Sequence, residues 1–124
     1  MKNLKNWKNW SVYRHITPNG FSYIGITSVN PEKCWKNGKG YYGTLFEEMI
    51  LKYGWENIEH EILYSNLTEA EARYLKYYSI CEHSSYIGFD DCAGYNCVLG
   101  NDDLLIARLT RKSIHKICNM LNID

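Results

Sequence analysis

Residues 11–17 and 21–27 alternate apolar and polar positions with the two-residue period of half-buried strands. Pro18-Asn19-Gly20 separates them, so the pattern predicts a β-hairpin. Alternation places Val12, Arg14 and Ile16 on one face and Tyr13 and His15 on the other, while Tyr23 and Gly25 oppose Ile24 and Ile26. Tyr13 and Tyr23 are therefore expected to face one cleft. Residues 30–43, rich in Gly, Lys and Asn, read as a basic loop around Trp35. Helical spacing of Leu45, Phe46, Met49, Ile50 and Tyr53 predicts a helix over 42–53 that Gly54 ends. Residues 58–64 read as a third strand. Thr68 and Glu71 fit a capping box, and Ala70, Tyr74, Leu75 and Tyr78 make the apolar stripe of a helix ending near Ile80. Residues 81–100 read as loop, and 102–121 as a final amphipathic helix carrying Leu105, Leu109, Ile117 and Leu121. The expected fold is α+β: a small three-stranded antiparallel sheet flanked by helices, plus a C-terminal amphipathic helix.

A chain of 124 residues has room for one domain with short extensions: a basic N-terminal tail over 1–10, a domain over 11–100 and a helical extension over 101–124. With 45% apolar and 23% charged residues, a packed core is expected rather than disorder. Aromatic residues reach 15%, including 11 Tyr and 4 Trp, which gives ring surface both for a core and for stacking on bases. No apolar stretch approaches membrane-spanning length and residues 1–10 do not form a signal peptide, so a cytoplasmic protein without membrane contact is expected. Five Cys without a C-x-x-C pair argue against a disulfide framework and against a zinc module. His15, His60, His83 and His115 are scattered, without an evident nucleophile partner.

Formal net charge is zero but unevenly placed, about +6 over residues 1–43 and −6 over the remainder. Long duplex DNA is bound by neutralising many phosphates, for which an acidic C-terminal two-thirds is poorly suited. A small anion docked on the N-terminal part suits this distribution better.

Val12-Tyr13, then Tyr23-Ile24-Gly25-Ile26-Thr27, Trp35-Lys36-Asn37-Gly38, Lys52-Tyr53-Gly54-Trp55 and Gly94-Tyr95-Asn96 follow one another over roughly residues 11–100. In this order they resemble the GIY-YIG endonuclease family, particularly its phage and mobile-element branch. The resemblance implies a three-stranded antiparallel sheet with flanking helices and metal-dependent hydrolysis of a phosphodiester. There a tyrosine helps deprotonate the attacking water, an arginine stabilises charge on the phosphate and a helix glutamate holds the divalent metal. Tyr13, Tyr23 and Asn96 match family positions, although Ser11-Val12 replaces the usual Gly-Ile. Cys34 stands where the arginine is expected and Lys76 where the glutamate is expected.

A charged lysine has three donors and no acceptor, so Lys76 cannot coordinate Mg²⁺. Glu69 lies about 10 Å along the helix from it, Glu71 has the capping role, and Lys33 or Arg14 offers a substitute for the arginine. Glutamate with Mg²⁺ and lysine alone each bring about one positive charge, so the cleft is expected to keep affinity for a phosphate and lose cleavage.

The expected ligand-binding residues are Tyr13, Arg14, Tyr23, Lys33, Trp35, Arg73, Lys76 and Asn96, with no catalytic residue and no metal site assigned. The resulting expectation is a catalytically inactive GIY-YIG-like protein that binds a nucleotide or other small phosphate ligand, as a phage protein sequestering a host immune nucleotide signal would. One alternative is a nuclease-dead module whose partner is nucleic acid or a host defence protein, which Trp7, Trp10 and Trp35 and the basic N-terminal part favour. Another is a divergent active endonuclease, for which Mg²⁺ would be the cofactor; otherwise none is expected. The final helix is expected either to pack on the domain or to present Ile106, Leu109, Ile117 and Met120 to a second copy in a homodimer.

Overall fold

The computed structural model describes residues 8–100 and 109–122. Strands β1 (Trp10–Ile16) and β2 (Ser22–Thr27) form the hairpin, closed where Gly20, at φ 87°, donates to the Thr17 carbonyl at 2.8 Å. Helices α1 (Pro31–Trp35) and α2 (Leu45–Tyr53) follow, then strand β3 (Glu59–Leu67), helix α3 (Glu69–Glu82) and helix α4 (Arg111–Met120). The sheet order is β2-β1-β3 with both pairings antiparallel. This is the expected α+β architecture, with β1 central. Among the described residues no helix is long and apolar enough to cross a membrane.

Alternation along β1 and β2 divides the core. On one face Val12 and Ile24 pack with Leu67, with Ala72, Leu75 and Ile80 of α3, and with Ile117 of α4. On the other, Tyr13, Trp35, Tyr41, Phe46, Ile58 and Tyr95 form an aromatic layer with half-buried Tyr23 at its margin. Burial of each large side chain contributes roughly 1.5–3 kcal/mol, so both layers hold the sheet.

The helix boundaries follow from capping chemistry. Thr44 accepts from the Glu47 amide, so α2 starts at Leu45 rather than Tyr42, and Gly54 at φ 86° ends it. The Thr68–Glu71 capping box is present, and α3 runs two residues past Ile80. β3 spans Glu59–Leu67 where 58–64 was expected. The basic loop is more ordered than its composition suggests: Asn30 caps α1, Pro31 opens it, and a 3₁₀ turn over 36–41 continues it. Five helical residues are too few to leave a periodic signal, and Lys36 and Asn37 reverse the chain at φ 49° and 54°.

β1 begins at Trp10, which pairs with Leu67, so the last residue of the tail expected over 1–10 belongs to the sheet. Residues 1–7 of that tail lie outside the described residues, as do 102–108 of the last predicted helix, including Ile106. Its described part is capped by Thr110 and turns Ile117 into the core, with Leu109 and Met120 packed beside it. That face of α4 is occupied by the domain itself.

The 81–100 segment has no regular strand, yet it closes the outer edge of β2. Ser22 donates to the Ala93 carbonyl at 3.0 Å and Tyr95 donates back to Ser22 at 2.9 Å. Gly94 permits this approach, since a Cβ there would lie 2.4 Å from the Ser22 carbonyl oxygen.

Helix α4 is fastened to α3 through buried Glu71, which accepts from Ser113 at 2.6 Å and Lys116 at 3.0 Å besides the Thr68 amide. Burial works to raise the Glu71 pKa, but the bonds from Ser113, Thr68 and Lys116 and the Lys116 charge outweigh it and hold the carboxyl below its usual range. A depressed folded-state pKa gives stability that is complete above the unfolded value near 4.5 and is lost as pH falls through the folded value. Glu71→Gln should therefore cost about 1–3 kcal/mol at pH 7 in urea unfolding, and less at an acid pH below the folded value. An equal difference at both pH values would contradict this.

Candidate functional site

Register opposes Tyr13 on β1 to Gly25 on β2. The Tyr13 ring crosses the bare backbone there, and a Cβ on Gly25 would meet its Cζ and Oη at 2.4 Å. The phenol is thereby led into the aromatic layer, where Tyr41 donates to it at 3.1 Å. Tyr41 in turn lies 2.6 Å from His15 Nε2, and His15 Nδ1 lies 2.9 Å from His60 Nδ1. Four side chains from β1, the 36–41 turn and β3 thus form one hydrogen-bonded chain. His15 and His60 are cross-strand partners.

Aromatic rings insulate this chain. His15 is fully buried, stacked on Phe46 at 5.3 Å and met edge-on by Trp35 at 4.7 Å. His60 stacks on Trp55 at 4.0 Å. Burial, with repulsion from His60, lowers the His15 pKa to about 3, so this ring is neutral at physiological pH. Burial also lowers His60, against the opposing influence of the Trp55 backbone. Burial raises Tyr13; the bond from Tyr41 works against this, while Tyr23 and Cys34 add to it. Tyr41 is raised by burial and by Tyr13, Tyr23 and Cys34, and Tyr23 by burial, Cys34 and Cys97. All three phenols keep their protons near neutrality, so Tyr13 is a hydrogen-bonding group rather than an unaided base.

The expected site residues do not form one cluster. Tyr13, Tyr23 and Trp35 share the aromatic layer. Trp35 and Tyr13 are both buried, packed against each other at 5.3 Å, so their rings are committed to packing and Tyr23 is the half-buried member at the margin of the layer. The Nε1 of Trp35 has no hydrogen-bond partner among the described residues. Arg14 lies on the opposite sheet face, donating to Ser22 at 2.8 Å and to Glu61 at 3.2 Å. Arg73 is paired with Glu69 at 2.7 Å on exposed α3 surface. Lys76 is half-buried beside it, and burial followed by Arg73 lowers its pKa. Helix α3 packs on the Val12–Ile24 layer, so these two cations lie across the sheet from the aromatic layer. Lys33 is exposed on α1.

Asn96 acts on the backbone. Its Oδ1 accepts from the Ile24 amide at 2.9 Å and from Ser85 at 2.7 Å, and its Nδ2 donates to the Ile24 carbonyl at 2.8 Å. With both acceptor positions of Oδ1 and one Nδ2 proton used on the protein itself, it braces β2 rather than facing a ligand.

His15, His60 and Tyr41 are the members that sequence reasoning missed. The usable signal was alternation, which already placed His15 beside Tyr13. A separate cleft of about 720 Å³ between α3 and α4 is lined by residues including Lys8, Lys112, Lys116 and Glu71, and by none of the expected site residues. Its carboxylate already accepts from Thr68, Ser113 and Lys116.

Mg²⁺ prefers carboxylate and water oxygens, whereas the groups around Tyr13 are phenols and the Cys34 thiol. The described residues contain no group of three or more His, Cys, Asp or Glu arranged to hold a metal. No protein-family model, curated protein or solved structure matches the chain.

Proposed function

We propose that the protein binds a phosphate-bearing small ligand, such as a nucleotide, at the Tyr13–Tyr23 end of the aromatic layer and does not cleave it. The observation that carries this reading is the phenol-rich margin of the aromatic layer, where half-buried Tyr23 packs on the layer that holds Tyr13 and Tyr41, with Cys34 packed against it as well. Protonated phenols donate hydrogen bonds to phosphate oxygens, whereas cleavage of a phosphodiester needs an ionised base or a metal-bound hydroxide. Exposed Lys33, Lys36 and Lys39 lie on α1 and on the turn that ends at Tyr41, supplying positive field to the same side. This matches a scaffold resembling GIY-YIG nucleases in which Cys34 and Lys76 stand at the arginine and glutamate positions. For a phage-encoded chain, the corresponding role is to sequester a nucleotide signal of host immunity in the cytoplasm.

The test is to purify the protein natively from signalling-competent cells, denature it, and identify released small molecules by mass spectrometry. A stoichiometric nucleotide is expected, and Lys33→Ala/Lys36→Ala/Lys39→Ala should bind it at least about tenfold more weakly by calorimetry, a loss of about 1.4 kcal/mol. An empty protein that instead binds RNA or DNA with steep salt dependence would overturn the small-ligand reading in favour of a nucleic-acid module.

A further inference from the structure

We propose that Tyr42 is the base-stacking residue of the ligand site: a nucleobase lies on its exposed ring while Lys33, Lys36 and Lys39 hold the phosphates. The proposal deepens the ligand-binding reading above and rests on it for the phosphates; the base is what it adds.

Tyr42 does not share the fate of its neighbours. Trp35, Tyr41 and Phe46 bury their rings in the aromatic layer, whereas Tyr42, which directly follows Tyr41, is 87% exposed. Single exposed apolar side chains are commonplace, and Leu51 and Val98 are others in this chain. Tyr42 is set apart by how firmly its backbone is held and by the charge around it.

The chain is fixed on both sides of the ring. Before it, the Tyr41 hydroxyl lies 2.6 Å from His15 Nε2 and donates to Tyr13 at 3.1 Å. After it, the Gly43 amide donates to the Glu47 carboxylate at 3.2 Å. Thr44 donates to the Tyr41 carbonyl with its amide at 3.1 Å and with its hydroxyl at 2.7 Å. Tyr42 thus stands in a closed junction between the 36–41 turn and α2. With a pinned backbone and only two side-chain torsions, its ring loses little freedom when a flat group settles on it.

The loop leading to Tyr42 carries its cations outside. Lys33, Lys36 and Lys39 are exposed, and among the described residues none of them pairs with a carboxylate. The three belong to one folded loop, because Lys36, Asn37 and Gly38 reverse the chain at φ 49°, 54° and 93°. Gly40 then returns onto the start of the loop, so close that a Cβ there would lie 2.3 Å from the Cys34 carbonyl oxygen. Lys39 and Tyr42, three residues apart, are separated by at most about 11 Å between Cα atoms. Tyr41 meets half-buried Tyr23 at 5.4 Å between ring centroids, which puts the neighbouring Tyr42 beside the margin assigned to the ligand.

These features select a class of ligand. Lysines and protonated phenols alone accept any polyanion, and the rings of Trp35 and Tyr13 are buried. An exposed ring held beside the cations favours a polyanion that also carries a flat aromatic group. Stacking tolerates every base, since each has a π-face. The site is therefore expected to discriminate nucleotides from inorganic polyphosphate more strongly than one base from another.

The test titrates the four ribonucleoside triphosphates, and inorganic tripolyphosphate as the probe without a base, into labelled protein followed by NMR and calorimetry. Each nucleotide is expected to bind at least about fivefold more tightly than tripolyphosphate and to move the Tyr42 ring protons upfield, as stacking on a base does. Tyr42→Ala should remove that advantage and leave tripolyphosphate binding unchanged, whereas Tyr42→Trp should retain it. Because the side chain is exposed, the urea midpoint of the alanine variant should equal that of the parent protein. Nucleotides that bind no more tightly than tripolyphosphate, an advantage that survives Tyr42→Ala, or Tyr42 resonances that do not move would each overturn the stacking role while leaving the phosphate reading in place. If none of the probes binds, both readings fall. A single-stranded oligonucleotide that binds with steep salt dependence where no triphosphate does overturns the small-nucleotide site in favour of a nucleic-acid surface.

Discussion

Truncating Asn96 to alanine is expected to lower the unfolding free energy by about 3–5 kcal/mol, a large fraction of the stability of a domain this size. The side chain contributes little apolar contact; its effect comes from three buried polar groups it satisfies. Removing it strands the Ile24 amide, the Ile24 carbonyl and the Ser85 hydroxyl, each costing roughly 1–3 kcal/mol when buried without a partner. Asn96→Asp separates the contributions, since it keeps the acceptor for the amide and hydroxyl but sets a carboxylate oxygen against the Ile24 carbonyl. Urea unfolding measures the loss, and hydrogen exchange at the Ile24 amide localises it. A cost under about 1 kcal/mol for the alanine variant, or unchanged exchange at Ile24, would show that Asn96 is not what braces β2.

The second large effect is expected at Gly25. The residue has no left-handed backbone requirement, and alanine ordinarily improves an extended segment relative to glycine. Here the sign is reversed by Tyr13, whose Cζ and Oη occupy the space a methyl group needs at 2.4 Å. Gly25→Ala should cost about 2–3 kcal/mol and push the phenol off Tyr41, weakening ligand binding as well as stability. Tyr13→Leu removes the colliding atoms. In that background the same Gly25→Ala change should be near neutral, a coupling of about 2 kcal/mol in a double-mutant cycle. Equal costs in both backgrounds would locate the strain elsewhere.

Much of this architecture was legible because it is local. Period-two alternation identified the hairpin and separated Tyr13, His15 and Tyr23 from Val12 and Ile24, and Thr68 with Glu71 announced the start of α3. What was not legible depended on distance or register. Alternation puts Arg14 on the Val12 face, where it cannot share a cleft with Tyr13, so the two do not meet one ligand. The partnership of His15 with His60 follows from β1–β3 pairing, which includes register shifts on either side of Val12 that no local pattern reveals. Trp35 and Asn96 belong to recognisable segments, but whether such a side chain meets a ligand or the protein's own backbone is decided by burial. α1 escaped detection because capping by Asn30 and a proline start act over only five residues.

The edge of β2 is closed by residues far along the chain: Asn96 reaches Ile24 across 72 positions and Tyr95 reaches Thr17 across 78. The hairpin itself needs only adjacent residues and can form within microseconds of leaving the ribosome. At about 5–20 residues per second, translation takes roughly 4–15 s more to deliver the segment that covers its outer edge. Throughout that interval the nascent hairpin presents the open hydrogen-bonding groups of Ser22 and Ile24 to whatever lies nearby, a neighbouring nascent chain included. These bonds across more than 70 positions therefore also fix how long each newly made copy must remain soluble before it is closed.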